Sequence, residues 1–339
     1  MSILTKSIVI VKMVGYNQNI IQNSVYSTII QTYRVDNVPP KIGIALGGGG
    51  ARGLAHAGIL KVLEEEDIPI YCISGASVGA VVGAMYAQNP DADTLIERFK
   101  TTLDESFYNQ LGLKHLRTNY AQEGSFLHQA SRSIKRRIVI NLAQSRMALL
   151  KELRLSSVLA RLIDKGNIED TKIPLAIVST SLHTGEDIVF RSGEIINAIA
   201  ASSAIPGFLP PILTHDDLLT DGGASCPVPV PLLHEMGADT TIAVEISMRE
   251  YSPLESPSAL EIISRAEMIT SRNLARMMAD TADVSIFPDT KDIHWSEFSR
   301  FDELIEAGME SARQKLPEIK KAIRSKRPWY RRFFNLKSP

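Results

Sequence analysis

Cysteine is scarce: the 339 residues hold two, Cys72 and Cys226, in apolar or proline-rich surroundings and without a ligand-spaced partner. That excludes a disulfide framework and a thiolate metal centre, and a reducing, cytoplasmic setting with no metal or other cofactor is the expectation. Long apolar runs are also missing, since none reaches the roughly 18 uninterrupted residues of a membrane-spanning helix. The nearest, residues 198–213, is broken by serines and three prolines. Residues 7–11 are apolar but flanked by Lys6 and Lys12, too short a run for a secretory leader. An excess of charge is absent too: 37 Lys and Arg against 38 Asp and Glu give a net charge of −1. No global attraction to nucleic acid or membrane follows, so a nucleic-acid partner is not expected and any membrane contact must be local.

What is present is ordinary globular composition with unusual punctuation. Hydrophobic residues make up 44% and charged residues 22%, enough for a sizeable core. Residues 1–38 are polar-mixed and end at Val38-Pro39-Pro40, which marks them as a weakly structured appendage. From Lys41 the pattern becomes strand (42–46), glycines (47–50), helix (54–66), strand (68–73), glycine turn (75–79), helix (78–87). Such a right-handed βαβα series specifies a mostly parallel sheet covered by helices. Residues 92–165 are helical in character, a strand follows at 175–180, and Thr184-Gly185-Glu186 turns into a second strand at 187–191. A helix at 195–201, a proline-rich loop at 205–211, a buried strand at 238–246 and further helices complete the pattern. The boundaries expected are an appendage at 1–38, one domain at 39–315 and a basic, aromatic tail at 316–339.

Gly75-Ala76-Ser77-Val78-Gly79 places a serine between glycines at a strand-to-helix turn. An elbow of this kind projects the hydroxyl above the sheet and sets it at a helix N-terminus, where unpaired N–H groups favour developing negative charge. Gly47-Gly48-Gly49-Gly50-Ala51-Arg52-Gly53 occupies the preceding turn. Gly48, Gly50 and Gly53 formally satisfy a dinucleotide fingerprint, but the second strand ends without the carboxylate that a ribose requires, and no P-loop lysine follows. The alternative is an oxyanion hole built by the N–H groups of Gly48, Gly49 and Gly50, each donor contributing about 3–4 kcal/mol to a transition state. Arg52 adds positive charge there, braces the loop against a carboxylate, or faces solvent at the helix start.

A serine needs a base. None of the seven histidines, at 56, 115, 128, 183, 215, 234 and 294, carries a distinguishing motif. A Ser-His-Asp triad stays open on the residues alone, because triads are defined by geometry. Asp221-Gly222-Gly223 offers a carboxylate on a tight turn instead. Together the ordered set, 48–53 with its arginine, 75–79, 184–186, 200–211 and 221–223, resembles the patatin-like phospholipase family in its bacterial, single-domain form, over about 42–246. The resemblance implies a three-layer α/β/α fold with a mostly parallel central sheet, and a Ser-Asp dyad with Ser77 as nucleophile and Asp221 as general base. It further implies Gly48, Gly49, Gly50 and Arg52 as the oxyanion site, with Gly53, Gly75, Gly79, Gly222 and Gly223 as motif glycines. The implied substrate is a lipid carboxylic ester, of phospholipase A, lysophospholipase or esterase type. The rival is a weakly active lipid-binding or regulatory protein that keeps the fold. A free aspartate is a poor base at neutral pH, so burial that raises its pKa is expected. Two basic stretches, 132–161 and 320–339, are the local candidates for lipid contact. The second interleaves Trp329, Tyr330, Phe333 and Phe334 with its charges and suits an anionic membrane surface.

Overall fold

The structure, a computed structural model, describes residues 40–103 and 152–326, apart from isolated positions between 215 and 292. The expected appendage 1–38, the basic stretch up to 151, the last part of the tail (327–339) and His115, His128 and His215 lie outside the described residues. Those described from Lys41 onward belong to the unit Lys41–Lys326.

β1 (Ile42–Leu46) alternates large and small side chains, and that alternation sets the layers. Ile42, Ile44 and Leu46 enter the main core, whereas Ala45 enters a second cluster on the other face. β2 (Ile70–Ala76) and β7 (Thr240–Val244) flank β1 in parallel; β3 (Leu175–Ser181) lies parallel to β2, and β8 (Val284–Ile286) parallel to β7. Three antiparallel strands complete the eight-stranded sheet: β4 (Asp187–Phe190) and β6 (Leu218–Asp221) on β3, and β5 (Ile212–Leu213) on β6.

On the large-residue face pack α1 (Leu54–Glu65), α2 (Val78–Gln88), α3 (Ala92–Thr102), α4 (Glu152–Leu162), α5 (Ile195–Ser202) and a C-terminal helix, α8 (Phe301–Ser325). Each fully buried Ile or Leu there contributes about 1.5–3 kcal/mol. On the small-residue face lie α6 (Val230–Glu235) and the end of α7 (Ala259–Ala279), through Val230, Leu233, Ala275 and Ala279. The expected three-layer arrangement with a mostly parallel sheet is therefore present.

Two expected boundaries move and one strand is additional. β2 runs on to Ala76, because β1 and β3 pair with Ser74 and Gly75 from both sides. β8, three residues long, has no counterpart among the expected strands. The tail boundary at 316 falls inside α8, which continues to Ser325 with Pro317 within it and Ile319 fully buried. Lys320 pairs with Glu66 at 2.6 Å and Lys326 with Asp283 at 3.1 Å. Two of the basic residues that open the expected membrane tail are thus engaged by carboxylates of the domain.

Candidate active site

Two strands distant in sequence end against each other on one edge of β3. Ala76 of β2 pairs with Val178, and Asp221 of β6 pairs with the next residue, Ser179. β4 takes the opposite edge along 177–180, so β2 and β6 share the remaining one. Running in opposite directions, they meet at their C-terminal ends. This brings residue 77 beside residue 221 across 144 positions of sequence.

Ser77 follows β2 with φ 53° and ψ −126°, a left-handed conformation that costs a non-glycine residue of order 1–3 kcal/mol. The turn closes only because its neighbours lack side chains: a Cβ on Gly75 would sit 2.6 Å from the Gly79 carbonyl oxygen, and one on Gly79 2.0 Å from that of Leu46. The Ser77 hydroxyl donates to Asp221 Oδ2 at 2.6 Å, and both residues are only 7% exposed. The other carboxylate oxygen, Oδ1, accepts the Gly223 N–H at 2.7 Å. Burial pushes the Asp221 carboxyl up to about 6, against the opposing pull of those two hydrogen bonds, and Glu267 adds a smaller upward push. The expected rise towards neutral pH is present and has the expected cause.

The end of α5 holds both partners, a role the sequence did not disclose. Ser202 Oγ accepts the Ser77 N–H at 2.9 Å, and the Ala204 carbonyl accepts the Asp221 N–H at 3.1 Å. The Thr180 hydroxyl adds a 3.0 Å bond to the Asp221 carbonyl. The small-residue run 200–204 was the signal available, but nothing local showed that its serine faces the elbow. Replacing Ser202 by Ala leaves a buried N–H without its acceptor, which costs about 1–3 kcal/mol. Ser202→Ala is therefore expected to lower the unfolding free energy by that amount and turnover roughly tenfold, as read by denaturant melts and kcat. The pH profile should not move, since Asp221 keeps its own contacts.

The glycine loop differs from expectation in one donor. The N–H groups of Gly47 and Gly48 are taken by the carbonyls of Val244 (3.0 Å) and Pro227 (3.1 Å), so Gly48 is not an available oxyanion donor. Its contribution is steric: a Cβ there would lie 3.2 Å from Ser77 Cβ. Among the described residues the N–H groups of Gly49 and Gly50 have no partner. Gly50 adopts φ +62° and seats against the Trp295 carbonyl, which also accepts the Ala51 N–H at 2.6 Å. Trp295 in turn stacks edge-on against Phe208, with ring centroids 4.7 Å apart. Gly53 lies against the Val78 side chain and Gly222 against the Val178 carbonyl, both too closely for any Cβ.

Arg52 is buried rather than solvent-facing. Its Nε donates to the Gly49 carbonyl at 3.1 Å, so it braces the loop through a carbonyl and not, as expected, through a paired carboxylate. Nη1 has no hydrogen-bond partner, and burial brings the guanidinium down to about 10, with Glu245 countering. His56 is fully buried beneath the same loop. Its Nε2 meets the Gly47 carbonyl at 2.8 Å, and burial holds the imidazole neutral by lowering its pKa to about 4. Of the other described histidines, His183 pairs with Asp217 and His294 bonds to Ser296. No described histidine is hydrogen-bonded to Ser77 or Asp221. Among the described residues no cluster of three or more His, Cys, Asp or Glu side chains is placed to hold a metal ion.

The patatin-like phospholipase family model matches residues 44–234, a span that holds both glycine elbows and the Asp221 turn. A patatin-like phospholipase domain-containing protein of Caenorhabditis elegans is 27% identical over 305 residues, covering 82% of this chain and 21% of its own length. An uncharacterized NTE family protein of Mycobacterium tuberculosis is 32% identical over 217 residues, covering 63% and 51%. A lysophospholipase of Pyricularia oryzae is 26% identical over 295 residues, covering 79% and 18%. The chain thus spans between about a fifth and a half of the length of these relatives.

Proposed function

Because this chain belongs to the patatin-like phospholipase family, we propose that it is a lipid acyl hydrolase whose Ser77 and Asp221 cleave carboxylic esters without a histidine. The observation that carries this reading is the 2.6 Å hydrogen bond from Ser77 Oγ to a buried Asp221 carboxylate. As Oγ attacks the ester carbonyl carbon, Asp221 Oδ2 takes its proton. The carbonyl oxygen becomes an oxyanion, met by the N–H groups of Gly49 and Gly50 and by the positive end of α2. Collapse of the tetrahedral adduct breaks the ester C–O bond, and Asp221 returns the proton to the leaving alcohol. Water then attacks the acyl-Ser77 ester as Asp221 takes its proton, and collapse of the second adduct breaks the Oγ–acyl bond while Asp221 returns that proton to Ser77 Oγ, which releases the fatty acid and restores both residues.

A lysophospholipid or phospholipid is the proposed substrate class, in keeping with the activity named for the Pyricularia relative. The pH dependence of turnover tests the base. Asp221 acts only when ionised, so kcat/KM on a soluble ester should climb through an acid limb near pH 6 and flatten above it. Replacing His56 or His294 by Gln should leave the position of that limb in place. A limb near or above 7 that is lost with one histidine would replace the dyad by a triad, and a wild type that hydrolyses no ester would favour a lipid-binding role.

A further inference from the structure

On α7 the apolar side chains face outward. At 100° per residue, Ile262, Ile263, Ala266, Ile269 and Met277 fall within about 120° of the helix circumference. Ile262 is 52% exposed, Ile263 64%, Ile269 39% and Met277 70%. The opposite side is the one attached to the protein: Ala275 and Ala279 enter the core beneath the sheet, and the Ser271 hydroxyl donates to the Gly223 carbonyl at 3.0 Å. Exposed Thr270 and Asn273 fall within the same arc, exposed Glu267 follows Ile263 by one turn at the far edge, and no acidic residue of α7 lies inside the arc itself. Along one of its edges runs a row of arginines, Arg265, Arg272 and Arg276, whose guanidiniums lie over Tyr251 and Phe287.

Four large apolar side chains exposed on one face of one helix suit a contact site. Its neighbours indicate the partner. Through Ser271, on its inward side, the helix is bonded to the turn that carries Asp221, a member of a dyad that is itself buried, and the stripe is the opposite, outward face of that same helix. An ester held in a bilayer reaches such a dyad only if the protein settles on the lipid near its opening. A stripe of isoleucine and methionine suits the acyl boundary, and a flanking arginine row suits anionic headgroups.

We propose that the outward face of α7 docks this protein on anionic lipid surfaces and so delivers esters to the Ser77–Asp221 site. The proposal rests on the lipid-hydrolase reading and places its lipid contact on residues beyond the span matched by the family model. The test uses the full chain carrying Ile262→Ser, Ile263→Ser, Ile269→Ser and Met277→Ser together, with a second variant Arg276→Gln. All five side chains are exposed, so the thermal melt of both variants should match that of wild type.

Wild type should co-sediment with phosphatidylglycerol/phosphatidylcholine vesicles several-fold better than with phosphatidylcholine alone. The fourfold variant should lose at least tenfold of that partition and a similar factor in hydrolysis of vesicle lipid, while turnover of soluble p-nitrophenyl butyrate stays within twofold. Arg276→Gln should lose part of the preference for the anionic vesicles. Unchanged partition of the fourfold variant overturns the proposal, as does equal binding of wild type to both vesicles. A wild-type dimer that the four substitutions dissociate without altering vesicle binding also overturns it and makes α7 a contact between copies. Stripe-dependent vesicle binding by a protein that turns over no soluble ester would sustain the docking face and remove the hydrolase reading.

Discussion

Asp221→Asn should abolish nearly all turnover and at the same time make the protein more stable at neutral pH. The first effect follows from proton transfer: an amide cannot take the Ser77 proton, and the loss of a positioned base lowers rates by about a hundred- to ten-thousandfold. The second follows from burial. The Asp221 carboxyl titrates at about 6 in the folded protein against an ordinary 3.8, so the folded state holds its proton more tightly than the unfolded state does. Ionising it therefore works against folding, by about 3 kcal/mol once the pH is above both values. This cost is absent below about pH 3.8, grows between there and pH 6, and is complete above 6. Asparagine removes it. An asparagine oxygen still accepts the Gly223 N–H and its amide nitrogen can donate to Ser77 Oγ, while the Ser77 hydroxyl proton loses its acceptor, which offsets part of the gain. Thermal melts at pH 8 should show the variant several degrees above wild type, with the gap closing as the pH is lowered towards 4. A variant less stable than wild type at pH 8 would show that Asp221 serves the fold rather than the chemistry. The expected trade of stability for activity is common at catalytic positions.

Ser77→Ala should reduce ester hydrolysis by on the order of 10⁴ to 10⁶, the range found when a nucleophile is removed and only oxyanion donors and binding remain. Little structural cost accompanies it. The Oγ atom has one hydrogen bond, to Asp221, and alanine keeps the Ser77 N–H bond to Ser202. The φ of 53° is tolerated no better by alanine than by serine, so backbone strain is unchanged. Asp221 left without its hydroxyl partner should titrate still higher, because that hydrogen bond is among the influences holding its pKa down. Steady-state assays on a soluble ester and on a lysophospholipid measure the loss, and residual activity above one per cent would mean that another group attacks the ester.

The first half of the site was legible because its signals are local. The strand at Ile42–Leu46, the glycines on both sides of Ser77 and the Asp221-Gly222-Gly223 turn each constrain a few adjacent residues, and each is found where the pattern places it. Ser74-Gly75-Ala76 looked like turn material, yet it is strand, since two parallel neighbours supply its hydrogen bonds. That tertiary pairing overrides the weak strand propensity of small residues. The meeting of Ser77 with Asp221 was not derivable from either motif. It depends on β2 and β6 ending head to head on β3, a register that pairs Ala76 with Val178 and Asp221 with Ser179. Ser202 and Ala204 lie in the motif segment 200–211, but their contacts, like those of Trp295, were not readable for the same reason, since they reach the dyad and the glycine loop across long stretches of sequence. Composition alone did not show that Lys320 and Lys326 pair with Glu66 and Asp283, since those partners are distant in sequence.

A dyad of Ser77 and Asp221 is tested most directly by covalent capture with a fluorophosphonate, followed by mass spectrometry of the modified peptide. The expected result is one adduct per chain, on Ser77, formed at least a hundredfold more slowly in Asp221→Asn and at an unaltered rate when His56 or His294 is replaced by Gln. An adduct on any other residue, or labelling of Asp221→Asn at the wild-type rate, would contradict the dyad.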